Sequence, residues 1–168
     1  MTGLPNLVIE PLNPTHDRGG FCCSVESLDR YFKRQASQDI KRCISRVFVA
    51  TLPENPARVV GYYTLSSLSI ELQRLPKKFA RKLQNYPIPA ALIGRLAVRG
   101  AVQGHGIGTM LLADAIKRTL SVCDQIAIYA LVVDAIDDDV MRFYRQFGFK
   151  VLSDSNRRLF LPLKSLGS

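Results

Sequence analysis

Apolar positions change their spacing several times along the chain, and each change marks a predicted element. "LVIEPL" (7–12) reads as a first strand. Over 27–42, "SLDRYFKRQASQDIKR", the spacing turns helical, with Ser27 placed to cap the start. At about 100° per residue, Leu28, Tyr31, Phe32 and Gln35 share one face, and Arg30, Arg34 and Lys41 line the opposite one. "ISRVFVATL" (44–52), the proline turn "PENPA" (53–57) and "RVVGYYTLSSLSIEL" predict a β-hairpin with a longer second strand. "LPKKFARKL" (75–83) predicts a short helix. Its Lys77, Lys78, Arg81 and Lys82 fall within about 140° of one another, opposite Phe79 and Leu83.

The second half alternates strand and helix. "AALIGRLAV" (90–98) predicts a strand, followed by a glycine-rich loop and a helix to about residue 122. That helix carries Leu112, Ala115, Ile116, Thr119, Leu120 and Cys123 on one stripe, with Asp114, Lys117, Arg118 and Ser121 opposite. "QIAIYALVV" (125–133) is a continuous apolar run of the kind buried on both faces. A last helix, 138–147, opens with Asp137–Asp139 on its positive dipole end and stops at Gly148, and "FKVL" and "RRLFLPL" predict closing strands. The strand–loop–helix–strand unit over 90–133 implies a parallel crossover in a mixed sheet. The expectation is one α/β (α+β) domain over residues 1–168, with six to seven strands and about four helices.

Composition narrows the function. No apolar run reaches the ~18 residues of a membrane helix, and the N-terminus lacks the basic and apolar regions of a signal peptide, so a cytoplasmic location is expected. Cys22, Cys23, Cys43 and Cys123 form no CxxC pair, and His16 and His105 are the only histidines, so no metal is expected. The net charge of +9 and pI near 9.7 favour a polyanionic partner: nucleic acid, an acidic protein or a phosphorylated cofactor.

"VQGHGIGTMLLADAI" (102–116) carries the most specific signal. A P-loop needs a lysine after its glycines, and none follows here. A dinucleotide fingerprint needs G-x-G-x-x-G, and the spacing here is G-x-G-x-G. Gln103-x-x-Gly106-x-Gly108 instead fits the loop that wraps the pyrophosphate of coenzyme A, where bare backbone turns its N–H groups toward phosphate at a helix N-terminus. An ordinary glycine-rich turn is the other reading of the same six residues.

With "RLAV" upstream and "FYRQFGF" downstream, this loop makes the chain resemble the GCN5-related N-acetyltransferases over residues 8–163. "LDRYFKRQASQD", "SRVFVA" and "VVGYYTLSS" resemble the branch of acetyltransferase toxins from bacterial type II toxin–antitoxin modules. The resemblance implies acetyl transfer from acetyl-CoA to an amine in a ternary complex. It assigns cofactor binding to Gln103, Gly104, His105, Gly106, Ile107 and Gly108, with Thr109 as an extra donor. Leu96, Ala97 and Val98 would pair with the pantetheine arm like an added strand, one N–H serving as oxyanion donor.

The resemblance makes Tyr144 the general acid, although its place near Val140, Phe143 and Phe147 also fits simple packing. No general base stands out. An α-amine of pKa ~7.8 is neutral in roughly one molecule in seven at pH 7, against fewer than about one in a thousand for a lysine amine, so the site suits an α-amine. That agrees with the substrate the toxin branch implies, an aminoacyl-tRNA whose acetylation blocks translation. Arg30, Arg34, Lys41, Lys77, Lys78, Arg81, Lys82, Arg95 and Arg99 are the candidates for tRNA contact. A ribbon-helix-helix antitoxin and a homodimer are further implied partners, with no membrane. The alternatives are an acetyltransferase of a protein N-terminus or small amine, and a non-catalytic domain that only binds nucleic acid.

Overall fold

The computed structural model describes residues 6–83, 87–153 and 156–166. Among the described residues eight strands form a mixed sheet in the order β1-β2-β3-β4-β6-β8-β7, with β5 paired to β3 off that path. The chain divides into two compact units, Met1–Ser66 with Gly94–Lys117, and Ser67–Ile93 with Arg118–Ser168. Among the described residues no helix is long and apolar enough to cross a membrane.

In the first unit, β1 (Val8–Pro11) runs antiparallel to β2 (Arg46–Thr51), and β2 antiparallel to β3 (Gly61–Ile70), the longer hairpin strand expected. The helical stretch is α1 (Glu26–Arg30), a π-turn (Tyr31–Gln35) and α2 (Ala36–Lys41). Phe32 stacks on Tyr62 at 4.5 Å, Phe21 meets both rings edge-on, and the Tyr62 hydroxyl donates to the Leu28 carbonyl at 2.7 Å.

Two helical expectations change here. The N-cap is Val25, without a side-chain cap, and Ser27 already lies inside the first turn. The Ala36 N–H reaches back five residues to the Tyr31 carbonyl, so the π-turn slips the helical phase by one residue. Ala36 therefore joins Leu28, Tyr31 and Phe32 in the core, and Gln35 faces outward.

The strand expected over 90–98 is two strands, which raises the total to eight. β4 (Ile88–Ile93) lies between β3 and β6 (Ala130–Asp134), pairing in parallel with β6, whereas β5 (Leu96–Val98) pairs antiparallel with Gly61–Tyr63 of β3 and is off that path. Residue 95 lies at the break between the two strands and is tied to β3. Its carbonyl accepts from the Thr64 N–H at 3.0 Å, and its N–H donates to Thr64 Oγ1 at 3.1 Å.

In the second unit, β6 lies between β4 and β8 (Arg158–Pro162), with β7 (Lys150–Ser153) outside β8. Paired on both edges, residues Ala130–Val133 are completely buried. The strand begins five residues later than its apolar run, and Ile126 is 66% exposed. The helix α3 covers only Lys77–Ala80, behind Pro76, and Phe79 packs edge-on against Phe160 at 5.2 Å.

The helix α4 spans Ile107–Val122 and is shared by the two units. It buries Leu111, Leu112, Ala115 and Thr119. Leu120, expected on the buried stripe, is 41% exposed. Asp114, expected on the outer face, is half-buried and accepts from the Tyr63 hydroxyl at 2.6 Å. The last helix, α5 (Asp138–Arg145), is capped by Asp137, whose Oδ1 accepts from the Val140 N–H at 2.9 Å. It ends at Arg145, two residues short of the 138–147 expected, and the turn that follows closes at Gly148 with a left-handed φ of +93°.

Candidate active site

The glycine loop leaves β5 through a short 3-10 turn, Gly100–Val102, and delivers the chain to α4. Gly104 and Gly106 have φ of +86° and +81°, the region that favours glycine. A Cβ on Gly104 would meet nothing within 4 Å, so its requirement is conformational and not steric. The Met110 N–H makes the first helical bond, to the Gly106 carbonyl at 3.1 Å. The N–H groups of Ile107, Gly108 and Thr109 thus come before the helical ladder, where the helix end favours an anion. A pyrophosphate fits this chemistry.

Gln103 fixes the loop from within. Its amide donates to the Val98 carbonyl at 2.9 Å and to the Cys23 carbonyl at 3.0 Å. The Gly100 N–H adds a bond to the Cys22 carbonyl at 2.8 Å, so residues 22–23 buttress the loop. Nothing in the sequence marked that contact. His105 is exposed, with Nδ1 within 3.0 Å of the Val102 carbonyl and 3.2 Å of the Gln103 carbonyl. Carbonyls only accept, so Nδ1 carries the proton and donates.

Sequence reasoning also missed Gly61. A Cβ there would come within 2.9 Å of Leu111 Cδ1, 3.0 Å of the Ala97 carbonyl oxygen and 3.4 Å of Ile107 Cγ2. This is the glycine at which β3, β5 and the first turns of α4 approach too closely for a side chain. Leu96, Ala97 and Val98 form β5 itself, pairing with Tyr63, Tyr62 and Gly61 along one edge.

The two arginines beside this strand are already engaged. The Arg95 guanidinium lies 3.6 Å from the Tyr31 ring centroid. The Tyr31 hydroxyl donates to Asp39 Oδ2 at 2.8 Å, and Gln35 Nε2 donates to Oδ1 at 3.0 Å. The Gln35 bond, then Tyr31 and the charges of Arg95 and Arg42, hold the Asp39 carboxyl below its ordinary range against the opposing effect of burial. Burial and the Asp39 bond push the Tyr31 phenol up to about 12. Arg99 donates to the Val59 carbonyl at 2.8 Å and the Gly20 carbonyl at 2.7 Å, tying three backbone segments together. Burial and the like charge of Arg58 lower its pKa.

The remaining basic candidates lie at the surface. Arg34, Lys41, Lys77, Lys78, Arg81 and Lys82 are exposed, and Arg30 pairs with Glu26 at 2.9 Å.

In the second unit, α5 carries Tyr144, only 2% exposed, between the rings of Phe143 and Phe149 at 5.2 and 5.4 Å. Burial first, then the charge of Asp134, raises the phenol pKa well above its ordinary value. Asp134 is held by a bidentate bond from Arg158, 2.7 Å from Nε and 2.9 Å from Nη2. Arg157, at a φ of +50°, donates to Asp138 at 3.1 Å, and its carbonyl accepts from the Ala135 N–H at 3.0 Å. The start of β8 is thereby fastened to the segment that launches α5. A phenol so placed is a proton-bearing donor at neutral pH and not a base. Among the described residues no group of three or more His, Cys, Asp or Glu could hold a metal ion.

Comparison with known proteins adds to this geometry. Residues 44–151 match the model of an acetyltransferase (GNAT) domain. The chain is 33% identical to a probable toxin TacT of Sinorhizobium fredii, covering 99% of this chain and 97% of that protein. It is also 33% identical to a tRNA-acetylating toxin of Mycobacterium tuberculosis, over 91% and 90% of the two chains. AtaT complexed with acetyl-methionyl-tRNA superposes with a TM-score of 0.88 at 29% identity, covering 96% of this chain and 97% of that one. A tyrosine-to-phenylalanine mutant of the AtaT toxin, bound to acetyl-CoA and the C-terminus of the antitoxin AtaR, superposes at 0.80 with 27% identity, covering 95% of each chain.

Proposed function

The chain belongs to the acetyltransferase (GNAT) family, and from that premise we propose that it is an acetyl-CoA-dependent toxin that acetylates the α-amine of aminoacyl-tRNA and so blocks translation. One observation carries the reading: a Gln-braced loop with two left-handed glycines opens a 16-residue helix in a chain similar over nine-tenths of its length to a tRNA-acetylating toxin.

Acetyl-CoA, when bound, supplies the acetyl group as an activated thioester. The N–H groups of Ile107, Gly108 and Thr109, with the turn from Gln103 to Gly106, would receive the pyrophosphate. Leu96, Ala97 and Val98 would take the pantetheine arm along β5, one of their N–H groups facing the oxyanion.

Tyr144 is the donor to the leaving sulfur. An ordinary phenol, pKa ~10, is already a weaker acid than a thiol of ~8.5, and burial widens that gap. Outright proton transfer from Tyr144 is therefore uphill. Its part is a hydrogen bond that strengthens as charge builds on sulfur while the phenol keeps its proton, the proton that the amine loses being the one the thiolate finally gains. The overall exchange is balanced: nitrogen gives up one proton and sulfur gains one. An α-amine enters sufficiently neutral that no dedicated base is required.

The tRNA backbone would lie against Lys77, Lys78, Arg81 and Lys82 and the exposed Arg34 and Lys41. Arg95 and Arg99 act mainly within the protein. As a toxin of this branch the protein would be held in check by an antitoxin, of the ribbon-helix-helix type, and would work as a cytoplasmic homodimer.

Labelled acetyl-CoA and charged tRNA test the reading. Wild-type protein should label the aminoacyl group, and Tyr144→Phe should bind coenzyme A but leave the tRNA unlabelled. Coenzyme A binding without labelling of any charged tRNA would overturn it.

A further inference from the structure

The second unit contains a cavity of about 240 Å³, roughly eight times the volume of one water molecule in the liquid. Leu68 and Ile70, at the end of β3, and Leu152 of β7 give it its apolar lining, Ser69 and Asn156 add neutral polar groups, and Glu71, Arg74 and Arg158 are its charged residues. Each charge already has a partner: Arg74 pairs with Glu71 at 3.5 Å, and Arg158 holds Asp134 through two bonds. A phosphate entering here would find no uncommitted cation, and a charged side chain no uncommitted counter-charge. An uncharged aliphatic group would find the right surface, since burying it against three aliphatic side chains is favourable by about 25 cal/mol per Å².

The cavity is linked to the chemistry through two adjacent residues. Arg158, which lines the cavity, clamps Asp134 at the end of β6, and its neighbour Arg157 bonds Ala135 and Asp138 where α5, the helix of Tyr144, begins. We propose that this cavity is the pocket for the side chain of the aminoacyl group, and that it selects uncharged aliphatic amino acids. The proposal rests on the reading that the chain acetylates aminoacyl-tRNA. On that reading the acceptor amine must reach the thioester whose sulfur Tyr144 serves, so the side chain on the same α-carbon needs a recess on the elements that carry α5. Arg158 then has two tasks, closing the cavity wall and holding Asp134 toward the helix that carries Tyr144.

The test begins with bulk charged tRNA and labelled acetyl-CoA, which identifies a tRNA that wild-type protein acetylates. That tRNA is then charged ribozymally with isoleucine, leucine, methionine, glycine, aspartate or lysine, and kcat/KM is measured for each. The aliphatic set should exceed glycine, aspartate and lysine by at least about tenfold, the scale on which apolar pockets discriminate by one or more methylenes. Leu152→Trp, which fills the cavity, should reduce the isoleucine-to-glycine ratio by at least about tenfold. Equal kcat/KM across the wild-type panel overturns the pocket while leaving tRNA acetylation standing. So does a folded Leu152→Trp protein whose rates fall in the same proportion for all six. If wild-type protein labels no charged tRNA at the outset, the acetylation reading falls, and the pocket with it.

Discussion

A phenol packed between Phe143 and Phe149 and facing the charge of Asp134 keeps its proton far into alkaline solution. Two results follow for Tyr144. Replacement by phenylalanine should lower kcat by about 10²–10⁴-fold, the usual contribution of a positioned proton donor, with a thermal midpoint close to wild type because the ring is retained. The pH profile of kcat/KM should rise as the acceptor amine deprotonates near ~7.8 and then stay level to about pH 9.5, because the raised phenol pKa moves its own loss of proton beyond that range. A fall between about pH 8.5 and 9.5 would mean that the donor is some other group. The glycines separate in the same residue-by-residue way. Gly61→Ala drives a methyl to within 2.9 Å of Leu111 and 3.0 Å of a backbone carbonyl, and should cost about 1–3 kcal/mol in urea unfolding. Gly104→Ala, with open space around it but a φ of +86°, should cost about 1–2 kcal/mol through backbone strain alone.

Among the elements, the helical stretch 26–41 was legible in position and only partly in phase. Its apolar spacing is real as far as Phe32, but nothing in "YFKRQA" announces a backbone bond spanning five residues, and that bond gives the buried place to Ala36. The same limit governs 90–98. Its apolar residues mark a strand, yet the break at residues 94–95 is held by Thr64, thirty-one residues from Arg95. The apolar run 125–133 overstated its strand because hydropathy does not report which residues have neighbours on both edges; that two-sided bonding starts at Tyr129, whose N–H donates to the Pro89 carbonyl and whose carbonyl accepts from the Leu163 N–H. The glycine loop was legible because positive φ and a helix start have local signatures; its brace at Cys22 and Cys23 was not, being eighty residues distant from Gln103. Within the π-turn, the Gln35 bond and the Tyr31 hydroxyl hold Asp39 ionised below the ordinary carboxylate range. That contribution to stability is fully present above about pH 4 and is lost as pH falls through the depressed folded value. Asp39→Asn should therefore destabilise the protein more at about pH 6 than at about pH 2.5, as read from urea midpoints; an equal difference at both would assign the effect to hydrogen bonding alone.

Across the whole molecule the charge of +9 acts as a field, but its members do unequal work. Lys77, Lys78, Arg81 and Lys82 are exposed on and just after α3, with free reach toward a polyanion. Arg99, by contrast, spends its donors on the carbonyls of Val59 and Gly20, so its charge is committed to structure. Binding of tRNA that releases counterions should give a logarithmic affinity that falls linearly with logarithmic salt concentration. Replacing the quartet by alanine should reduce that slope by up to about 3.6, since each phosphate contact contributes roughly 0.9 on a duplex. The thermal midpoint should hardly move, because these side chains are solvated. Arg99→Ala should do the reverse, leaving the salt slope nearly unchanged and lowering stability by about 1–3 kcal/mol as the carbonyl of buried Val59 loses its donor, the exposed Gly20 carbonyl turning to water instead. Titrations of charged tRNA between about 50 and 200 mM salt distinguish the two classes. A quartet variant with the wild-type slope would move the nucleic-acid surface away from α3, to the exposed face that carries Arg34 and Lys41.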